Sequence, residues 1–181
     1  MKELAIFGST GSIGCSTLNV VRRERDRFAV SILTAGHNLQ RLTEQIREFT
    51  PRHVYILEKH DAEALREQFP GLDIYWGKDG MEAISRLTDF DIGVSALVGV
   101  AGLRPTWNMI QNGKTVALAN KEVLVTGGRL VMEAAKECRA TLLTVDSEHS
   151  AIMQCLRGER MPCHPADGGQ RAQCHHAVPA G

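Results

Sequence analysis

Short apolar runs alternate with amphipathic stretches of helical length from the first residues to about residue 145, and this rhythm limits the possible folds more than any other feature. "ELAIF", "FAVSIL", "HVYIL", "LDIYW", "FDIGVSAL", "KTVALA" and "ATLLTV" are rich in Ile, Val, Leu and aromatic residues, as buried parallel strands are. The stretch after "ELAIF" places Ile13, Thr17, Leu18 and Val21 on one helical stripe, with Arg22, Arg23 and Glu24 at its exposed end. "LQRLTEQIREF" gathers Leu39, Leu42, Ile46 and Phe49 on one face, and Pro51 stops it. "HDAEALREQF", "GMEAISRL", "GLRPTWNMIQNG" (closed by Gly113) and "NKEVLVTGGRLVMEAAKE" complete the helical set, with Gly127 and Gly128 expected to interrupt the start of the last. "EHSAIMQCL" is predicted to begin one more helix. Strand then helix, repeated, predicts an α/β protein: a Rossmann-like, doubly wound parallel sheet with right-handed crossovers.

Gly8, Gly11 and Gly14 in "GSTGSIG" fall at the first turn from strand to helix. Glycine opens torsions closed to other residues and lets a ligand approach the main chain. The free N–H groups of a first helical turn, with the helix dipole, favour a phosphate. Ser9, Thr10 and Ser12 are expected to add hydroxyl donors. The spacing is G-x-x-G-x-x-G, and a tight turn with close helix–strand packing is the bland alternative; the βαβ context favours a dinucleotide pyrophosphate.

The end of the second strand bears on which dinucleotide. Enzymes using NAD commonly carry an Asp or Glu there for the ribose 2′-hydroxyl. Here "TAGHN", Thr34 to Asn38, has no acid, while Gly36, His37 and Asn38 offer donors, so NADP is favoured. Asn38 also fits as a cap for the following helix, and both roles are compatible.

Two later strand ends carry polar clusters. In "VDSEHS", Asp146 and Glu148 are two apart, so extended backbone points both the same way, a pair suited to Mg²⁺ or Mn²⁺. The same residues equally fit a helix start, with Asp146 or Ser147 as cap and Glu148 in the first turn. In "LANKEVL", Asn120 and Lys121 would reach over the carboxyl edge; a lysine is not what the dipole favours at a helix start, yet a solvated Lys–Glu pair explains it as well.

From Arg157 to Gly181 there is no Leu, Ile, Phe, Trp or Tyr, and this stretch cannot bury enough apolar surface to fold alone. It reads as a linker or as translation in a wrong reading frame, with 160–181 expected to be disordered or out of frame. Cys163, His164, Cys174, His175 and His176 lie in it without a C-x-x-C knuckle, which argues against zinc. With 21 basic and 21 acidic side chains there is no electrostatic case for nucleic acid or an anionic membrane. No apolar run approaches the roughly 20 residues of a bilayer span. Met-Lys-Glu opens directly into a strand pattern, so no signal peptide is expected, and five cysteines without framework spacing fit the cytoplasm.

"GSTGSIG", "AGHN", "ALANKE" and "VDSEHSAI", in this order and spacing, resemble the 1-deoxy-D-xylulose 5-phosphate reductoisomerase family of non-mevalonate isoprenoid biosynthesis over residues 1 to about 159. The resemblance implies a divalent metal and a reaction that isomerises the substrate's carbon skeleton and reduces the resulting aldehyde with NADPH, giving 2-C-methyl-D-erythritol 4-phosphate. By motif it assigns Thr10, Gly11, Ser12 and Ile13 to the NADPH pyrophosphate, Gly36, His37 and Asn38 to its 2′-phosphate end, and Asn120 and Glu122 to NADPH. Lys121 would sit between nicotinamide and substrate, Ser147 would touch the substrate, and Asp146 and Glu148 would bind Mg²⁺ or Mn²⁺. It implies residues 1–145 as the NADPH-binding domain, 146–159 as the start of a catalytic and metal-binding region, and 160–181 as a tail unlike the family. A truncated or frameshifted member is therefore expected, inactive alone, with the homodimer belonging to the full-length family. The alternatives are an NADPH-binding module without turnover and another NADP-dependent oxidoreductase.

Overall fold

The computed structural model describes residues 1–119 and 121–145; of Lys121 it describes the backbone position alone. In chain order the elements are β1 (Lys2–Phe7), α1 (Ser12–Arg23), β2 (Phe28–Thr34), α2 (Leu39–Phe49), β3 (His53–Ile56), α3 (Lys59–Gln68) and β4 (Asp73–Trp76). There follow α4 (Gly77–Ser85), β5 (Ile92–Ser95), a 3₁₀ turn (Gly99–Gly102), α5 (Leu103–Gln111), β6 (Thr115–Leu118), α6 (Lys121–Glu137) and β7 (Thr141–Thr144).

Strand alternation builds the layers. Leu4 and Ile6 of β1 point to one face, where they meet Leu18 and Val21 of α1, Leu42 and Ile46 of α2, and Leu65 of α3. Ala5 and Phe7 point to the other, with Ile84 of α4, Met109 and Ile110 of α5, and Val123 and Val131 of α6. The seven described strands run parallel in the order β4-β3-β2-β1-β5-β6-β7. The chain winds outward from β1 to β4 through α1–α3, crosses back by α4 to β5, and winds outward again through α5 and α6. Strand order therefore reverses between β1 and β5, and a crevice opens at the carboxyl ends of such a pair.

Local chemistry sets the boundaries. Asn38 Oδ1 accepts from the Arg41 N–H at 3.1 Å and caps α2, while Thr50 ends that helix in the left-handed region ahead of Pro51. Three expectations need correcting. Ile13 is not on the buried stripe of α1; it is 39% exposed, and Gly14 takes its place against Leu18 and Val21. Gly127 and Gly128 do not interrupt α6, which runs unbroken to Glu137, since packing of Val123, Val131 and Ala134 outweighs their poor propensity. The helix expected from Gly80 starts earlier, at Gly77. The helix expected from Glu148 lies outside the described residues.

Candidate functional site

The glycine motif, residues 8 to 14, leaves β1 at the strand-order reversal and runs into α1, and two of its glycine positions are dictated by the protein's own backbone. Gly8 has φ +92°, and a Cβ on it would lie 2.7 Å from the Ala96 carbonyl oxygen beyond β5. A Cβ on Gly14 would lie 2.3 Å from the Gly8 oxygen and 2.5 Å from Ser9 Cα, so its absence lets α1 press against the loop. Gly11 is different. Its φ is −77°, and a Cβ there would make only an ordinary 3.4 Å contact with the Gly8 oxygen. Among the described residues nothing requires a glycine at 11; a ligand resting on the main chain would.

The loop is pinned from beneath by Ser9. The Ser9 N–H donates to Thr34 O at 2.8 Å, and the Gly8 N–H to Thr34 Oγ1 at 2.9 Å. The Ser9 hydroxyl, fully buried, lies 2.7 Å from Gln45 Oε1 and 3.2 Å from Thr34 O, and Gln45 Nε2 donates back to Ser9 O at 3.0 Å. Ser9 is therefore not the hydroxyl donor for a ligand that its position in the motif suggests. It is an anchor, and the buried Gln45 of α2 is the partner that sequence reasoning missed.

Above that anchor the first turn of α1 is open. Gly11 occupies the N-cap with no side-chain hydrogen bond, and no acid lies in the first turn. Gly11, Ser12 and Ile13 are exposed, and Thr10 is half-buried. Gly36, His37 and Asn38 are exposed at the end of β2, on the neighbouring strand. No acid lies in the first turn of α2 either. The two loops are bridged by Arg41, whose Nη1 donates to Thr10 O at 3.1 Å.

Beside Gly36 lies a cavity of about 720 Å³, lined by Gly36, Tyr55, Leu57, Met81, Leu97 and Ala101 among others, and also by the charged Lys78, Asp79, Glu82 and Arg104. Burial pushes the Tyr55 phenol up, aided by the nearby Glu58, so it presents a neutral ring. Glu82 accepts from Arg104 Nε at 2.9 Å and from Arg86 Nε at 2.8 Å, and these bonds hold its carboxyl at about 2. Of the expected residues that the structure describes, only Gly36 lines this cavity, because the rest of the lining comes from separate segments with no motif of their own.

Further along the same edge α6 begins at Lys121, with Glu122 exposed in its first turn. Beyond it β7 brings the chain to Val145, whose N–H donates to Leu118 O at 3.1 Å. Asn120, the Lys121 side chain, Asp146, Ser147 and Glu148 lie outside what the structure describes. Among the described residues no group of three or more His, Cys, Asp or Glu could hold a metal ion.

A family model, 1-deoxy-D-xylulose 5-phosphate reductoisomerase, matches residues 4–128. The chain belongs to this family. The reductoisomerase of Prosthecochloris aestuarii is 51% identical over 162 residues, which are 88% of this chain and 42% of that protein. That of Thermoanaerobacter pseudethanolicus is 50% identical over 159 residues, 87% of this chain and 41% of the relative. Among solved structures, a DOX-P reductoisomerase in complex with NADPH, fosmidomycin and magnesium superposes with a TM-score of 0.81 at 37% identity, covering 86% of this chain and 39% of that one. The Zymomonas mobilis reductoisomerase in complex with NADPH gives 0.80 at 38% identity, covering 85% and 41%. The chain thus spans about two fifths of the length of these family members.

Proposed function

We propose that this chain is the cofactor-holding part of an NADPH-dependent reductoisomerase that converts 1-deoxy-D-xylulose 5-phosphate to 2-C-methyl-D-erythritol 4-phosphate in the cytoplasm. The observation that carries this reading is Gly11, a glycine the fold does not need, capping a helix with no acid in its first turn at the strand-order reversal. A pyrophosphate laid there would accept from the first-turn N–H groups, and its charge would meet the positive end of α1. The donor set fits the cofactor.

The order of strands supports the rest of the assignment. Reading along the carboxyl edge from β2 through β1 and β5 to β6, the chain presents Gly36–Asn38, then Thr10–Ile13, then the start of α6 at Lys121 and Glu122. At about 4.8 Å per strand, β2 and β6 are roughly 14 Å apart. That suits an extended dinucleotide, with its adenosine end over β2 and its nicotinamide near Lys121. NADPH supplies a hydride when bound. Thr10, Gly11, Ser12 and Ile13 hold its pyrophosphate, Gly36, His37 and Asn38 its 2′-phosphate end, Asn120 and Glu122 its nicotinamide end, and the apolar cavity beside Gly36 takes the adenine. Lys121 and Ser147 would orient the phosphorylated sugar. Asp146 and Glu148, which follow β7 in the sequence, have the hard oxygen donors that Mg²⁺ or Mn²⁺ takes.

Calorimetric titration with NADPH and NADH tests the reading. NADPH is expected to bind more tightly, since each charge-assisted hydrogen bond to a 2′-phosphate contributes about 1.5–3 kcal/mol. Equal affinities, or binding of neither, would sink it.

A further inference from the structure

Arg41 has no part in the motifs, yet its placement is specific. It is the third residue after the cap Asn38, whose Oδ1 receives the Arg41 N–H at 3.1 Å, so its Cα is tied to the Gly36–Asn38 loop. Its side chain runs the other way, and Nη1 donates to Thr10 O at 3.1 Å in the glycine loop. The guanidinium therefore lies across the gap between the ends of β1 and β2. It is exposed, and among the described residues it has no carboxylate partner: Glu44, one turn on, accepts from Gln40 at 3.5 Å. Arg22 and Arg25 are engaged with Glu48, and Arg47 with Gln68 and the Phe69 ring.

We infer that Arg41 is the specificity-determining cation of the cofactor site, holding the 2′-phosphate of NADPH with the guanidinium nitrogens not bonded to Thr10. This rests on the cofactor reading above. The ribose 2′ position of a dinucleotide in this fold lies at the end of β2, whereas the pyrophosphate lies at the first turn of α1. Arg41 is anchored to the former by its own helix cap. The bond to Thr10 O fixes the fork before any ligand arrives, so little side-chain freedom is lost when a planar, multidentate partner such as a phosphate binds. It also ties the two halves of the site together, so occupancy of one loop restrains the other.

Arg41→Gln and Arg41→Lys in the 181-residue chain, titrated with NADPH and with NADH, test the assignment. Arg41→Gln is expected to weaken NADPH about ten- to a hundredfold and leave NADH within about twofold, as loss of a charged hydrogen-bonding pair predicts. Arg41→Lys should recover part of the NADPH affinity, as a point charge without the fork. Thermal melting of each free variant close to that of the parent shows that the loops remain folded. An equal loss for both cofactors would overturn the inference, because it would place Arg41 at the pyrophosphate or in a purely structural role. Undiminished NADPH binding in Arg41→Gln would overturn it while leaving the cofactor reading intact. Failure of the parent chain to bind NADPH would overturn both.

Discussion

At the amino edge of the sheet Asp89 accepts from Arg52 Nε at 3.0 Å and from Ser31 Oγ at 3.1 Å, with His53 Nε2 3.0 Å away. Arg52 reaches Glu3 as well, and His53 Nδ1 lies 3.2 Å from Asp73. At the carboxyl edge, between β2 and β1, the helix starts lack acids, Gly11 caps without a side chain, and among the described residues Arg41 bonds to main chain and sulfur. Both edges expose the same kind of surface, strand ends and helix ends. One matches its charges internally; the other leaves a surplus of donors. A surplus of unmatched donors weakens a fold slightly and has its use only when an anion arrives, so the contrast distinguishes the edge that holds the sheet together from the edge proposed to bind the cofactor.

The largest effect that sharpens this contrast lies within one glycine motif. Gly14→Ala places a methyl 2.3 Å from the Gly8 oxygen and 2.5 Å from Ser9 Cα, both backbone atoms that cannot yield. It should destabilise the protein by at least about 3 kcal/mol in urea unfolding. Gly11→Ala, with its methyl in ordinary contact, should cost about 1 kcal/mol or less, as a change at a helix cap does. Its NADPH affinity should nonetheless fall at least about tenfold, because the methyl would occupy the space proposed for the pyrophosphate. If both substitutions destabilise alike, Gly11 is as structural as Gly14 and the argument for the site collapses.

A smaller effect is expected at the other edge. Asp89→Ala removes the acceptor shared by Arg52, Ser31 and His53 and should cost about 1–3 kcal/mol without altering NADPH affinity. Burial raises the Asp89 pKa, but the Arg52 hydrogen bond, the adjacent His53 and the Ser31 hydroxyl outweigh it, and the carboxyl sits below its ordinary 3.8. A depressed carboxyl contributes stability that is present above about 3.8 and is lost as pH falls through the lower folded value. Asp89→Ala should therefore flatten the acid limb of the stability profile. A shift in NADPH affinity would show that the two edges are coupled after all.

The layers of this fold were legible because each strand's alternation, such as Leu4 and Ile6 against Ala5 and Phe7, is written locally. The glycine loop was legible because its position between β1 and α1 is local too. What sequence could not reveal depends on neighbours across strands. Ser9 looks like a ligand donor until Gln45, 36 residues away, is seen to bond it. Ile13 fits a helical stripe until Gly14 is seen to be the residue that packs. Arg41 reads as one more charge on an amphipathic helix, and only its reach to Thr10 distinguishes it.

The smallest expected effect tests where the contrast between the edges ends. Glu82, on α4 and lining the cavity beside Gly36, is paired although it stands on the edge proposed to bind. Hydrogen bonds from Arg104, then from Arg86, hold its carboxyl at about 2, against an ordinary 4.5. Its contribution is present above about 4.5 and lost as pH falls towards 2, a window below that of any working cofactor site. The group is open to water, so the pairing is screened. Following its carboxyl by NMR should give a midpoint near 2 at low salt that rises towards 4.5 at about 1 M salt, where the Debye length is only about 3 Å. Glu82→Gln should barely change unfolding near neutral pH. A midpoint already near 4.5 at low salt would mean that Arg104 is not held by Glu82. Arg104 would then join Arg41 as an unmatched cation on this edge, and the positive surface around the cofactor would extend across the cavity to α5.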